Sequence, residues 1–135
     1  MPFDVQLVSP ERLVFSGEAD MVIARTTNGD IGFQPGHIPF VGVLTPERLK
    51  INLSDGTTRE VAVHSGFVEV SADHVTVLSD IAEMAEDIDV ARAQAALGRA
   101  EAALASDSSD VKAKAARRRA QVRIQVAETV SGAAH

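Results

Sequence analysis

The 135 residues predict an α+β protein: an antiparallel β-sandwich or flattened barrel of roughly eight to ten strands, followed by an antiparallel two-helix hairpin. Up to about residue 85, short apolar runs have the period of two that is typical of strands, and alanine-rich segments with helical spacing follow. The charge changes at nearly the same place. Residues 1–88 carry five Lys or Arg against fourteen Asp or Glu, a net charge of −9, whereas residues 89–135 carry eight against five, a net charge of +3. We therefore expect two domains, over residues 1–85 and 86–135, with different partners.

The strands are predicted from runs rich in Val, Ile, Leu and Phe that recur about every ten residues. These runs are VQLV, RLVF, DMVIART, LKINLS, EVAVHS, FVEVS and HVTVLS. Asn28-Gly29 and Asp55-Gly56 favour hairpin turns between strands, because such turns need a positive φ. Polar and apolar residues alternate over residues 59–64, which predicts a strand with one face in water.

Two helices are predicted after residue 88. Asp89 is a suitable N-cap for the first helix, because its carboxylate can accept the free amide hydrogens of the first turn. A polar break over residues 106–110 separates this helix from a second one over about residues 111–130. A short polar loop between two helices predicts an antiparallel hairpin.

The apolar positions of the hairpin are few and mostly small. Three residues of the first helix recur every seven positions and three of the second every four: Val90, Leu97 and Leu104, then Val122, Val126 and Val130. The rest of the apolar surface is alanine, which contributes much less hydrophobic free energy on burial than leucine does. We therefore expect the hairpin to be held on the sandwich by at most a few kcal/mol.

Several function classes are disfavoured by composition. The chain has no cysteine, which excludes disulfides and cysteine metal sites, and it has neither a secretion signal nor the run of about 20 apolar residues that spans a bilayer. The acidic first domain argues against nucleic-acid binding. No catalytic or phosphate-loop motif occurs, so we predict no catalytic residue and no enzyme activity.

No metal site is predicted, although one acidic cluster was weighed as such. Its members are Glu83, Glu86, Asp87 and Asp89. The cluster could bind a divalent cation, but a solvated linker that caps the first helix is the favoured interpretation.

Arginines lie at helical spacing in the hairpin. Arg92 and Arg99 are two turns apart on one face of the first helix, and Arg119 and Arg123 share a face of the second. In an antiparallel pair, Arg92 and Arg123 would converge, and guanidinium groups suit phosphate oxygens. Two alternatives stay open. The arginines could supply only solubility, or they could pair with acidic residues of a partner protein when the hairpin is extended.

The segment over residues 29–40, GDIGFQPGHIPF, combines glycine, proline and large apolar residues. We call it the corner segment. It fits either a tight corner between sheets or a rigid apolar surface that docks on another protein.

The corner segment resembles the G-x-[IL]-G-x-x-x-x-H-x-P-[LF] stretch of the epsilon subunit of F-type ATP synthase. VSPERLVFSGEA, over residues 8–19, and HSGFVEV, over residues 64–70, are similar to two further stretches of that family. The resemblance covers nearly the whole chain. It implies a ten-stranded sandwich with a helical hairpin, in a non-catalytic subunit of the central rotor stalk on the cytoplasmic face of the plasma membrane.

The resemblance also implies partners. The gamma subunit and the ring of c subunits would bind the sandwich, and the hairpin would extend to the alpha/beta catalytic head and inhibit ATP hydrolysis. The residues expected at the partner interface belong to the corner segment: Ile31, Phe33, His37, Ile38 and Phe40. An alternative function is a freestanding nucleotide-sensing module, with the sandwich as its scaffold.

A ligand is implied as well. Residues 88–93, IDVARA, fit the [IL]-D-x-x-R-A pattern with which some bacterial members of the family bind ATP as a regulatory ligand, with or without Mg²⁺. The site residues implied are Glu83, Ile88, Asp89, Arg92, Ala93, Arg99, Arg119 and Arg123. Glu83 and Asp89 would lie near the adenine and ribose, and Ile88 and Ala93 would give an apolar contact.

Overall fold

A computed structural model describes residues 2–133, and side chains as far as residue 129. Nine strands come first, then a single 3-10 turn at Ala85–Asp87, then two helices. The strands are β1 (Phe3–Val8), β2 (Leu13–Thr26), β3 (Gly29–Phe33), β4 (Phe40–Leu44), β5 (Glu47–Leu53), β6 (Thr58–Val63), β7 (Gly66–Val70), β8 (His74–Ser79) and β9 (Ala82–Met84). The helices are α1 (Val90–Ser106) and α2 (Val111–Ala133). The predicted fold class is confirmed.

The strands form two layers joined by the long strand β2. Its first half pairs with β1, and its second half pairs with β3 and β5. One layer runs β1-β8-β7-β4, and the other continues from β2 through β5 and β6 to β9. All strand pairs are antiparallel except β1 and β8, which run parallel. The runs RLVF and DMVIART, predicted as separate strands, both contribute to β2. The described residues hold nine strands, which lies within the eight to ten that the pattern predicts and is one fewer than the resemblance implies.

The core of the sandwich is aliphatic with two phenylalanines. Its largest fully buried side chains are Phe3, Phe33, Leu7, Leu49 and Ile51. The two predicted hairpin turns hold glycines at positive φ, 103° at Gly29 and 91° at Gly56, as the sequence requires.

The prediction that one face of residues 59–64 lies in water is wrong. Val61 and Val63 face the core, as expected, but Ala62 and His64 on the other face are also buried. Helix α2 covers that face, because Ala62 packs in a cluster with Val122 and Val126. An alternating pattern shows which residues face the core, but it does not show whether a distant helix covers the polar side.

Both helices begin as predicted. The Asp89 carboxylate accepts a hydrogen bond from the Arg92 amide at 3.0 Å, and the Asp110 carboxylate accepts one from the Ala113 amide at 3.0 Å. The helices pack on each other through alanines, since Ala93 and Ala100 are the buried residues of α1. Val90, at the first position of the sevenfold spacing, is 39% exposed.

Helix α2 lies between α1 and the sandwich. The residues that pack it there form one small cluster, which we call the hairpin seam: Ala62, Ala85, Ile88, Val122, Val126 and Ala127. Three of these six are alanines, so the seam removes little apolar surface from water compared with the core of the sandwich. Val130, the third predicted position, lies outside the residues whose side chains are described.

Candidate functional site: an arginine cavity and an apolar sheet face

A cavity of about 350 Å³ opens where the start of α1 meets α2 and the edge of the sandwich. We call it the arginine cavity. Its lining residues come from β9, the turn after it and both helices: Glu83, Asp87, Asp89, Arg92, Ala93, Ala96, Arg99 and Arg123. The antiparallel pairing of the helices therefore brings Arg92 and Arg123 to one cavity, as their spacing predicts.

Charge in the arginine cavity is partly neutralised within the protein. The Nε of Arg123 donates a hydrogen bond to the Glu83 carboxylate at 2.6 Å, and the two side chains are 25% and 30% exposed. Arg92 and Arg99 are exposed at the mouth, and the side-chain ion pairs found among the described residues do not include them. The guanidinium groups of Arg92 and Arg99 are thus available to bind an anion. Arg123 could bind the same anion only by giving up its ion pair with Glu83.

Two of the predicted site residues lie elsewhere. Ile88 is 8% exposed, packs in the hairpin seam and does not line the cavity. Arg119 is half-buried and does not line the cavity. In the described fold they could act on a ligand only through other residues. Conversely, Asp87 and Ala96 line the cavity but were not predicted, although Ala96 lies one helical turn after Arg92 and a helical projection would have found it.

The acidic cluster does not gather around one point. Glu83 pairs with Arg123, Glu86 pairs with Arg59, and Asp89 caps α1. Among the described residues, no group of three or more possible ligands is arranged to hold a metal ion.

A second arginine of α2 binds the sandwich. Arg118 donates hydrogen bonds to the Pro46 carbonyl at 3.2 Å and to the Glu47 carboxylate at 2.6 Å. Arg25 approaches the same oxygen of Glu47 at 3.0 Å, and the Glu47 side chain is only 13% exposed. We call this group the Glu47 ion-pair cluster. The cluster supplements the hairpin seam. Arg118 is the middle one of three consecutive arginines at positions 117–119, and its contacts are with the sandwich.

The corner segment is a tight corner in which one large apolar side chain, Ile38, is exposed. Phe33 is fully buried, and its ring meets the His37 ring edge-on at a centroid distance of 5.2 Å. Ile31 and Phe40 are partly buried against the core. Ile38, in contrast, is 75% exposed. The expectation that Phe33 lies on a partner surface needs correction, because its side chain belongs to the core and can only support the corner.

A larger apolar surface was missed by the sequence reasoning. Val43, Phe67 and Leu78 are 46%, 54% and 44% exposed, and they stand side by side because Val43 pairs with Phe67 and Phe67 with Leu78. Val41, two residues before Val43, is 68% exposed. These four residues form what we call the outer apolar face, beside a depression of about 700 Å³ that Pro10 also lines. The run HVTVLS contained a signal of this surface. Val75 and Val77 lie on the buried face of the strand, and Leu78 is a third apolar residue on the opposite face.

Comparison with known proteins identifies the family. The model of the ATP synthase delta/epsilon chain β-sandwich domain matches residues 2–85, and that of the long α-helix domain matches residues 86–128. The chain belongs to the ATP synthase delta/epsilon family. The resemblance drawn from the corner segment is thereby confirmed.

Curated relatives cover nearly the same length as this member of the delta/epsilon family. The ATP synthase epsilon chain of Streptomyces griseus is 48% identical over 121 residues, 90% of this chain and 91% of its own. That of Thermobifida fusca is 46% identical over 127 residues, 92% of each chain.

Solved structures agree on the fold. A chain in the mitochondrial ATP synthase of Euglena gracilis superposes with a TM-score of 0.69 at 24% identity, over 99% of this chain and 82% of that one. A chain in the central stalk and c-ring of the Tetrahymena thermophila enzyme gives a TM-score of 0.53 at 15% identity, over 97% of each chain.

No helix within the described part of the chain is long and apolar enough to cross a membrane.

Proposed function

We propose that the protein is a non-catalytic subunit of the central rotor stalk of a proton-translocating F-type ATP synthase. In this role it couples the catalytic head to the c-ring and restrains ATP hydrolysis through its hairpin. Membership of the delta/epsilon family supports the stalk assignment, as do relatives named epsilon chain over nearly their full length. The subunit would be peripheral, on the cytoplasmic face of the plasma membrane.

The outer apolar face supports a permanent protein partner. Val41, Val43, Phe67 and Leu78 lie together on one sheet surface in contact with water. Contiguous exposed apolar residues of this kind mark protein interfaces. We infer that the gamma subunit covers this face and that the c-ring contacts the corner at Ile38. A freestanding nucleotide sensor would leave both surfaces in water, which disfavours that alternative.

The hairpin seam is the observation that carries the regulatory part of the proposal. Six small or medium side chains and two arginine ion pairs hold α2 on the sandwich. A partner or ligand that binds only one arrangement of the hairpin can shift such a balance. In the extended arrangement, Arg118 and Arg123 would lose Glu47 and Glu83 and become available to acidic residues of the alpha/beta head.

The arginine cavity supports ATP as the ligand of the docked arrangement. Arg92 and Arg99 come from α1, and Arg123 comes from α2, so one polyphosphate that bridges them ties the two helices together. Asp89 and Ala93 also line the cavity, where we expect the nucleoside to lie. ATP therefore stabilises the docked hairpin by mass action, and paired titrations with and without Mg²⁺ determine whether the metal accompanies it.

Capture of synthase subunits from membranes tests the stalk assignment. The tagged full-length chain should retain gamma and c subunits, and Phe67→Asp should lose gamma, because a carboxylate would have to be desolvated within the apolar contact. Val111→Asp introduces the same charge at a residue that is 76% exposed on the hairpin, and it should bind like the wild-type chain. Equal retention of gamma by both variants would contradict the proposed interface.

A further inference from the structure

His64 is a buried histidine without hydrogen-bond partners for its ring. The residue is 2% exposed, and neither Nδ1 nor Nε2 finds a partner among the described protein atoms. Its backbone is well anchored, since the His64 amide donates to the Ile81 carbonyl at 3.2 Å and to the Ser79 hydroxyl at 3.2 Å. The backbone therefore fixes the position of the ring, while the two ring nitrogens lack hydrogen-bond partners that would offset the cost of their burial.

The position of His64 is under α2. It follows β6, two residues after Ala62, so the two side chains point to the same face of the sheet. Ala62 belongs to the hairpin seam. The charged groups around the ring come from each element packed there: Arg123 and Arg119 from α2, Glu83 from β9, and Asp80 from the turn before β9.

We propose that His64 makes docking of the hairpin dependent on pH, so that a proton on its imidazole favours release of α2 from the sandwich. The inference rests on the proposed mobile hairpin and adds a regulator to it. A charged imidazole fits the docked arrangement poorly, because the ring is buried without a hydrogen-bond partner among the described protein atoms and two guanidinium groups lie nearby. Release removes α2 together with Arg119 and Arg123, and it returns the ring to water.

The direction of the pH effect follows from the two states. Burial, reinforced by Arg123, lowers the pKa of His64 from 6.5 to about 4 in the docked arrangement, although Glu83 and Asp80 oppose the shift. In the released arrangement the ring regains its ordinary pKa. The docked form therefore keeps its full advantage above pH 6.5 and loses it as pH falls toward 4, by about tenfold in the docked-to-released ratio per pH unit.

The experiment uses the full-length chain, which contains no native cysteine to interfere with labelling. Fluorescent labels on Glu11→Cys in the sandwich and Gln94→Cys in α1, both exposed positions, report the distance between the hairpin and the sandwich. Between about pH 7.5 and about pH 5.5, the docked-to-released ratio should fall about tenfold. His64→Gln should abolish this response, whereas His74→Gln, a change at a half-buried histidine whose ring bonds Ser71, should retain it.

Two further measurements keep the test decisive. Glu47→Gln breaks the Glu47 ion-pair cluster and should release the hairpin at neutral pH, independently of His64. If it releases the hairpin while the wild-type chain shows no pH response, the His64 proposal is overturned and the mobile hairpin stands. If nothing moves the labels, both fail. An NMR titration of the His64 ring should show no protonation near pH 6.5 in the docked chain; an ordinary titration there without release would also overturn the proposal.

Discussion

Arg92 is the residue on which the ATP assignment depends most, because it has no side-chain ion pair among the described residues and stands at the mouth of the arginine cavity. We expect Arg92→Ala to weaken ATP binding at least tenfold, as expected for the loss of a charged hydrogen bond of about 1.5–3 kcal/mol. Titration calorimetry measures this. Arg117→Ala removes the same charge from α2 outside the cavity and should leave the affinity unchanged. Equal affinities of the two variants would refute the phosphate contact.

Alanine substitutions at two glycines should change the stability of the protein in opposite directions. A Cβ on Gly66 would lie 1.9 Å from the Leu78 carbonyl oxygen, a backbone atom of the paired strand. Gly66→Ala should therefore lower the melting temperature of the sandwich, since β7 and β8 must move apart. Gly98 in α1 has nothing within 4 Å of the same position. Gly98→Ala should stabilise the helix by up to about 1 kcal/mol. Thermal denaturation distinguishes the two, and a stable Gly66→Ala protein would contradict the described pairing.

The element that decides the regulatory account is α2, which binds the sandwich through the hairpin seam and two arginines. Glu47→Gln removes the carboxylate that Arg118 and Arg25 share, at a position that is only 13% exposed. We expect faster hydrogen exchange throughout α1 and α2 and unchanged exchange in the sandwich core. Glu60→Gln is the matched control, because Glu60 is also 13% exposed but pairs with Arg48 within the sheet. Similar exchange in the two variants would show that this ion-pair cluster does not hold α2.

The sequence predicted the secondary-structure elements better than the contacts between them. The helix cap at Asp89 and the turn glycines follow from local chemistry, and the structure confirms them. The parallel pairing of β1 with β8 joins segments about seventy residues apart, which no local pattern encodes. Ala62 and His64 looked solvated for the same reason, since α2 is distant in sequence. Arg119 shared a predicted face with Arg123 but lies outside the cavity.

Across the whole molecule, the charge difference between the two parts of the sequence reappears as contacts between them. The acidic sandwich supplies Glu47 and Glu83, and the basic hairpin supplies Arg118 and Arg123. These ion pairs are partly buried, so salt weakens them less than it weakens exposed pairs, but the apolar hairpin seam beside them is small compared with the core of the sandwich. We therefore expect the docked hairpin to be the part of the fold most open to control by a ligand or by neighbouring subunits.

We propose that the hairpin is docked more weakly than the sandwich is folded and that ATP strengthens the docking. Native-state hydrogen exchange of the full-length chain, with and without millimolar ATP, tests both parts together. We expect the amides of α1 and α2 to open with a much smaller free energy than those of β5 and β6, and we expect ATP to slow the exchange of the helical amides alone. Helical amides that open only with the sandwich core and ignore ATP would contradict it.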